Sequence, residues 1–109
     1  MATTQLQVNN RYYSEPEAEI ACALKIWLRM SDETIGTILG ARRNGIGGPP
    51  IHCAGLVASL QRSSHAVFHR VANNRAYWEP EAQREYQNWM VAVSQRVQRY
   101  GASYLSLTH

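Results

Sequence analysis

The sequence predicts an all-α fold: one domain of four helices, with a helix-turn-helix-like core of three helices and a long C-terminal helix. Apolar residues recur at helical spacing in separate segments, and good capping residues precede these segments. A chain of 109 residues has the usual length of one compact domain. Nothing in it alternates like a strand for long, and the segment from Tyr104 to Leu107 is a weak candidate.

The domain is predicted to cover residues 11–101. Residues 1–10 are polar and aperiodic, so we expect a loose N-terminal tail there. Residues 102–109 are expected to form a C-terminal tail beyond the last helix.

Helix 1 is predicted from about Glu15 to Arg29. Ser14 and Glu17 have the spacing of a capping box, in which each side chain bonds the backbone N–H of the other residue. Pro16 falls in the first turn, where a missing N–H costs little. The start of this helix is therefore well marked.

Helix 2 is predicted to begin after Ser31, a good N-cap residue. Ile35, Ile38 and Leu39 form its apolar stripe. Gly40 is placed to end the helix in a left-handed conformation. This helix would be about two and a half turns long.

Helix 3 is predicted to open at Pro49 and Pro50. Its apolar positions are Cys53, Leu56, Val57 and Leu60. The same spacing continues further, so the helix either runs on to Ala72 or breaks near Ser63. Both alternatives are compatible with the pattern.

The last helix is predicted to open at Glu79-Pro80-Glu81 and to end at Gly101. Apolar residues recur on one of its faces: Tyr86, Trp89, Met90, Val93, Val97 and Tyr100. This stripe either packs across the other helices or mediates dimerisation.

Charge is unevenly distributed along the chain, although the net charge is only +3. The acidic residues cluster at predicted helix starts, where the helix dipole favours them. No acidic residue lies between Thr34 and Trp78, but that stretch contains Arg42, Arg43, Arg62, Arg70 and Arg75. A basic middle region suggests an anionic partner.

The stretch "RYYSEPEAEIACALKIWLRMSDETIGTILGARRN" resembles the first two helices of Myb/SANT-like domains, a homeodomain-like helix-turn-helix family. The matching residues are Tyr13, Ser14 and Glu17 in the opening and Ser31, Ile35, Leu39, Gly40 and Arg42 in helix 2. The resemblance covers roughly residues 11–62. It implies a DNA-binding transcriptional or chromatin-associated regulator, nuclear in a eukaryote.

Duplex DNA is therefore the first expected partner. Arg42 and Arg43 are predicted to hold phosphates, beside a glycine-rich loop that lets the backbone approach a phosphate surface. The surface of helix 3 would meet base edges with His52, Ser59, Gln61 and Arg62. A phosphate cradle of an enzyme is disfavoured, because the loop follows a helix and lacks the Lys-Ser/Thr pair.

No enzyme, metal or cofactor is predicted. Cys53, His65 and His69 have part of a zinc-ligand spacing, but a closed structural site needs four ligands. No nucleophile has a neighbouring base with an orienting acid. Two cysteines in predicted helix interiors, with neither a secretory pattern nor a membrane span, indicate an intracellular protein.

The alternative hypothesis is a helical protein-interaction or oligomerisation module without nucleic-acid binding. It applies if the apolar face of the last helix exceeds what the other helices can cover. The simplest partner would then be a second copy of the chain.

Overall fold

The computed structural model describes residues 5–101. Over this range the chain forms two strands and five helices: β1 Gln5–Val8, β2 Arg11–Ser14, α1 Glu15–Leu28, α2 Asp32–Asn44, α3 Leu56–Arg62, α4 Ala66–Ala72 and α5 Arg75–Tyr100. The predicted mostly helical character is confirmed. The prediction of an all-α fold with four helices is wrong. The strand candidate at 104–107 lies outside the described residues.

A β-hairpin occupies part of the segment that was expected to be a loose tail. β1 and β2 pair antiparallel, with Leu6 opposite Tyr13. Asn9 and Asn10 connect them with φ values of 53° and 64°, the positive angles that a tight hairpin turn requires. Leu6 and Tyr13 are buried, so one face of the hairpin closes over the helical core.

α1 lies at the centre of the fold and packs against each of the other helices and both strands. The predicted capping box is present: the Ser14 hydroxyl accepts from Glu17 N, and Glu17 Oε1 accepts from Ser14 N at 2.9 Å. The left-handed residue Arg29 ends the helix after Leu28. The middle of α1 is fully buried. Small side chains there, such as Ala21, let the neighbouring elements come close.

The prediction that Gly40 ends helix 2 is wrong, because α2 continues to Asn44. Gly40 instead lies under the following loop, and a Cβ there would come within 2.5 Å of the Pro49 carbonyl oxygen. A Cβ at Gly36, one turn earlier, would come closer still to the Ile51 carbonyl oxygen, and the Ile51 N–H donates to the Gly36 carbonyl at 2.9 Å. The absence of a side chain at these two glycines lets the loop pack directly against the backbone of α2.

The loop extends to Gly55, so the expected opening of helix 3 at Pro49 is wrong. His52 and Cys53 consequently lie in irregular backbone rather than on a helix. The helix breaks at Ser63 and Ser64, where Ser64 has a φ of 51°, and α4 begins at Ala66. Of the two alternatives that the sequence left open, the break is correct.

α5 begins at Arg75 with Asn74 as its cap, so Pro80 lies inside the helix rather than at its opening. Trp78 and Ala82 are buried where α5 packs on α1. With 26 residues, α5 is about 39 Å long, against about 21 Å for the 14 residues of α1. The last turns of α5 therefore project beyond the body of the domain.

Candidate functional site

The two arginines predicted to hold phosphates form ion pairs within the chain. Arg42 Nη1 lies 3.0 Å from Glu85 Oε1 and links α2 to α5. Arg43 forms a bidentate pair with Glu17 at 2.6 and 2.8 Å, and it also donates to the Tyr12 carbonyl. Both positive charges are therefore compensated by carboxylates in this arrangement.

Glu17 belongs both to this ion pair and to the capping box of α1. Its side chain is only 14% exposed. Burial on its own raises the pKa of Glu17, but hydrogen bonds from Arg43 and Ser14 outweigh burial and hold that pKa below its ordinary value. The ionised carboxylate thus joins α1 to the end of α2.

Of the residues predicted to face bases, Ser59 and Arg62 lie beside the hairpin turn. The Ser59 hydroxyl contacts the Asn9 side-chain amide at 3.2 Å and accepts from Arg62 Nη2 at 3.1 Å. Gln61 is exposed on α3. His52 is exposed in the loop, and its carbonyl accepts from the Tyr13 hydroxyl at 2.8 Å. The structure groups Ser59 with Arg62, whereas Arg42 and Arg43 contact other elements.

The connection between α2 and α3 runs from residue 45 to residue 55. A helix-turn-helix motif usually has a turn of about three or four residues. α3 itself has seven residues, from Leu56 to Arg62, and therefore offers few side chains to a groove of duplex DNA.

Within residues 5–101, the side chains without an ion pair to a carboxylate include five arginines: Arg11, Arg29, Arg62, Arg96 and Arg99. Arg11 follows the hairpin turn, and Arg62 bonds Ser59 at the same turn. Arg96 and Arg99 lie on the projecting part of α5, where residues 86–101 contain no acid. Arg29 lies at the end of α1, so the uncompensated cations are at three separate places.

The predicted apolar face of the last helix divides into two faces. Trp89 turns towards the body of the domain and lies beside Ala41 and Ile46. The other members form what we call the apolar stripe: Tyr86, Met90, Val93, Val97 and Tyr100. Tyr86 also packs against the core, and its ring centroid lies 6.2 Å from that of Trp89. Met90 is 45% and Tyr100 54% exposed, while the remaining three are half-buried.

The spacing within the apolar stripe alternates between four and three residues. This alternation matches the heptad spacing that keeps apolar side chains facing a partner helix in a coiled coil. Val93 still lies beside Gly47 and Gly48 of the loop, at the edge of the domain body. The stripe begins near the core and continues onto the projecting turns.

An open pocket of about 600 Å³ lies beside the start of the stripe. It is bounded by the end of α1, the start of α2 and one side of α5. Its lining residues are Leu28, Met30, Thr34, Gln83, Tyr86 and Gln87. Sequence reasoning missed this pocket because its walls come from three helices that are distant along the chain.

The cysteines are buried thiols. Burial raises the pKa of Cys22 to about 12 and that of Cys53 to about 11. Cys53 Sγ donates to the Asp32 carbonyl at 3.3 Å, and His65 Nδ1 caps α4 by accepting from Val67 N. No cluster of three or more possible metal-ligating side chains occurs among residues 5–101.

No family model, curated protein or solved structure matches this chain. The resemblance to Myb/SANT-like domains therefore stays a prediction. Among the described residues, no helix has the length and apolar character that crossing a bilayer requires. The class that the fold defines is a mostly helical domain with one projecting, partly apolar helix.

Proposed function

We propose that the protein is a helical self-association module, in which the apolar stripe of α5 pairs with the same helix of a second copy. The observation that carries this proposal is the partial exposure of the stripe, which leaves Met90 45% exposed, on a helix whose last turns extend past the domain body. The proposal keeps the alternative hypothesis from the sequence and places the contact on defined residues.

The surroundings of the stripe support this role. An exposed apolar patch with a polar rim is typical of protein–protein contacts. Gln87 and Ser94 border one edge of the stripe, and Arg96 borders the other. Since the rim carries no carboxylate between residues 86 and 101, it offers no fixed negative charge to bury.

Sedimentation equilibrium over a range of protein concentrations tests the proposal. The unmodified chain is expected to reach the mass of a dimer. The double variant Met90→Ser, Val97→Ser should remain monomeric with unchanged helical circular dichroism, because both residues lie outside the buried core. The matched control is Val91→Ser, which removes a 57% exposed apolar side chain from a different face of α5 and should leave the dimer intact. A chain that stays monomeric at every concentration would contradict the proposal.

Duplex DNA binding is a second candidate, supported by one observation. Arg11 and Arg62 have no carboxylate partner within residues 5–101; Arg62 bonds Ser59 at the hairpin turn, and Arg11 directly follows that turn. If these cations meet phosphates, Arg11→Ala with Arg62→Ala should lower the slope of log affinity against log salt by roughly two, about one for each lost contact. An electrophoretic titration with random duplex at two salt concentrations measures this slope. Absence of binding at moderate salt would remove this candidate.

A further inference from the structure

An open cavity of about 650 Å³ lies between the start of α2, the loop that follows α2, and α5. We call it the Trp89 cavity, and its walls come from residues 32–34 and 37, residues 50–54 and Trp89. We infer that this cavity binds a small organic amine in its protonated form, with the ammonium group against Glu33 and an aromatic ring against Trp89. This binding is independent of the pairing of two copies, because Trp89 lies on the side of α5 that faces the domain body.

Glu33 supplies the negative charge of the cavity. The chain has 8 acidic residues, and all but Glu33 form ion pairs within residues 5–101: Glu15, Glu17, Glu19, Asp32, Glu79, Glu81 and Glu85. Glu33 is exposed and lines the cavity. Asp32 lies in the same wall, but Lys25 Nζ at 2.9 Å and the Gly55 N–H already bond its carboxylate. Glu33 therefore remains available to a cationic ligand.

The first turn of α2 disfavours an anion in the cavity. The positive end of a helix dipole would by itself attract a negative group. Asp32 and Glu33 occupy that turn, however, and the Ser31 hydroxyl accepts from the Thr34 N–H at 3.2 Å. An anionic ligand would therefore meet two carboxylates, whereas an ammonium ion would be attracted.

Trp89 and the loop supply the apolar side of the cavity. Trp89 is half-buried, and an indole ring is the aromatic surface that attracts cations best. Pro50 and Ile51 add apolar surface from the loop. The volume falls within the range of about 300–1,000 Å³ that is typical of small-molecule sites. An amine that carries an aromatic ring would use both the charge and the apolar walls.

Titrations followed by two-dimensional amide NMR test this binding with three probes. Phenethylammonium carries the charge and the ring, phenethyl alcohol lacks the charge, and butylammonium has the chain and charge of a lysine side chain without a ring. We expect phenethylammonium to bind about fivefold more tightly than either of the others, the usual effect of one exposed charge or ring contact. The signals that move should belong to Thr37, Cys53 and the Trp89 indole N–H, which line the cavity.

Two variants with the same change of charge test the role of Glu33. Glu33→Gln should weaken the binding of phenethylammonium about fivefold, to the affinity of phenethyl alcohol. Glu81→Gln is the matched control, because Glu81 pairs with Arg84 and does not line the Trp89 cavity. This control should bind phenethylammonium as the unmodified chain does.

A second pair of variants tests the aromatic wall. Trp89→Leu removes the ring and should weaken the binding of phenethylammonium, whereas Trp89→Phe keeps a ring and should retain most of the affinity. Circular dichroism checks that both variants fold. If Trp89→Leu unfolds, the comparison of Trp89→Phe with the unmodified chain and the result for Glu33→Gln decide, since Glu33 is exposed and lies outside the core.

Each contrary result removes a defined part of the inference. Equal affinities for phenethylammonium and phenethyl alcohol, or an unchanged affinity in Glu33→Gln, would overturn the recognition of the ammonium group. Butylammonium that binds as tightly as phenethylammonium would show a site for a lysine-like chain and overturn the assignment of a ring. Signal changes confined to residues away from the cavity would overturn the site itself. The pairing of α5 is measured separately by sedimentation, so its failure and the failure of amine binding are distinguishable.

Discussion

At the scale of single residues, the basic middle of the chain could be predicted but its partners could not. The sequence separates Arg43 from Glu17 by 26 positions and Arg42 from Glu85 by 43. Each carboxylate has a sufficient local explanation in the sequence, because it falls near a predicted helix start, where the helix dipole favours it. Only the packing of α1, α2 and α5 brings each carboxylate to an arginine. Charge counted along the chain therefore overestimates the charge available to a ligand.

The pair of Arg43 and Glu17 gives a prediction about pH. The pKa of Glu17 is lower in the folded chain than its ordinary value of 4.5. Its stabilising contribution is therefore fully present above that ordinary value, and it is lost as pH falls through the lower folded pKa. Arg43→Ala should lower the free energy of unfolding at neutral pH by about 1–2 kcal/mol, between the usual effects for exposed and buried pairs.

Urea unfolding of the unmodified chain and of Arg43→Ala, at neutral pH and at pH values below 4.5, measures the contribution of the ion pair to the free energy of unfolding. The difference between them should shrink in acid, because protonated Glu17 no longer attracts the guanidinium group. Glu33→Gln is the control, since Glu33 is exposed and forms no ion pair within residues 5–101. A difference that stays constant with pH would show that Arg43 contributes by packing rather than by charge.

At the scale of elements, capping side chains located helix starts better than proline did, and glycine located the end of α5 but not that of α2. Ser14 and Ser31 cap their helices as predicted, because a cap is a bond between residues three apart. Gly40 met the local rule for a helix end but serves a tertiary contact. The missed hairpin had a signal: Leu6 and Val8 alternate with glutamines before two asparagines. Four residues are too few for that alternation to stand out from a polar tail.

Gly40→Ala tests the tertiary reason for this glycine. Alanine favours a helix by about 1 kcal/mol over glycine, so local propensity alone predicts stabilisation. The added Cβ, however, would come within 2.5 Å of the Pro49 carbonyl oxygen and 2.6 Å of Pro50 Cα, both backbone atoms. We expect a net destabilisation of about 1–3 kcal/mol, the usual range for overpacking.

Thermal and urea unfolding measure the change, with Thr37→Ala as the matched control. Thr37 lies on the same helix, and within residues 5–101 its hydroxyl bonds only the Glu33 carbonyl one turn back. Replacing it raises helix propensity without a new contact, so this variant should be neutral or slightly more stable. If Gly40→Ala is as stable as the control, the loop does not rest on α2 at this position.

At the scale of the whole molecule, the two ends of α5 have different surroundings. Trp78 and Ala82 are buried against α1, and Trp89 lies against α2 and the loop. Beyond Val93 the helix passes the edge of the body. The sequence predicts one amphipathic helix over all these turns, because the same helical period fits the turns that pack on the body and the turns beyond it. Only the length of α1 and the position of the loop decide which turns are covered.

The uncovered turns predict a link between stability and protein concentration. A partner that binds only the folded chain raises the free energy of unfolding by mass action, so the melting temperature of a dimer rises with concentration. The unmodified chain should show this rise in circular dichroism or calorimetric melts. The double variant Met90→Ser, Val97→Ser should melt at one temperature throughout, close to that of the unmodified chain at its lowest concentration. Val91→Ser should keep the dependence, because it lies off the stripe. If all three chains melt independently of concentration, the exposed stripe adds nothing to folding, and the length of α5 has no role in joining two copies.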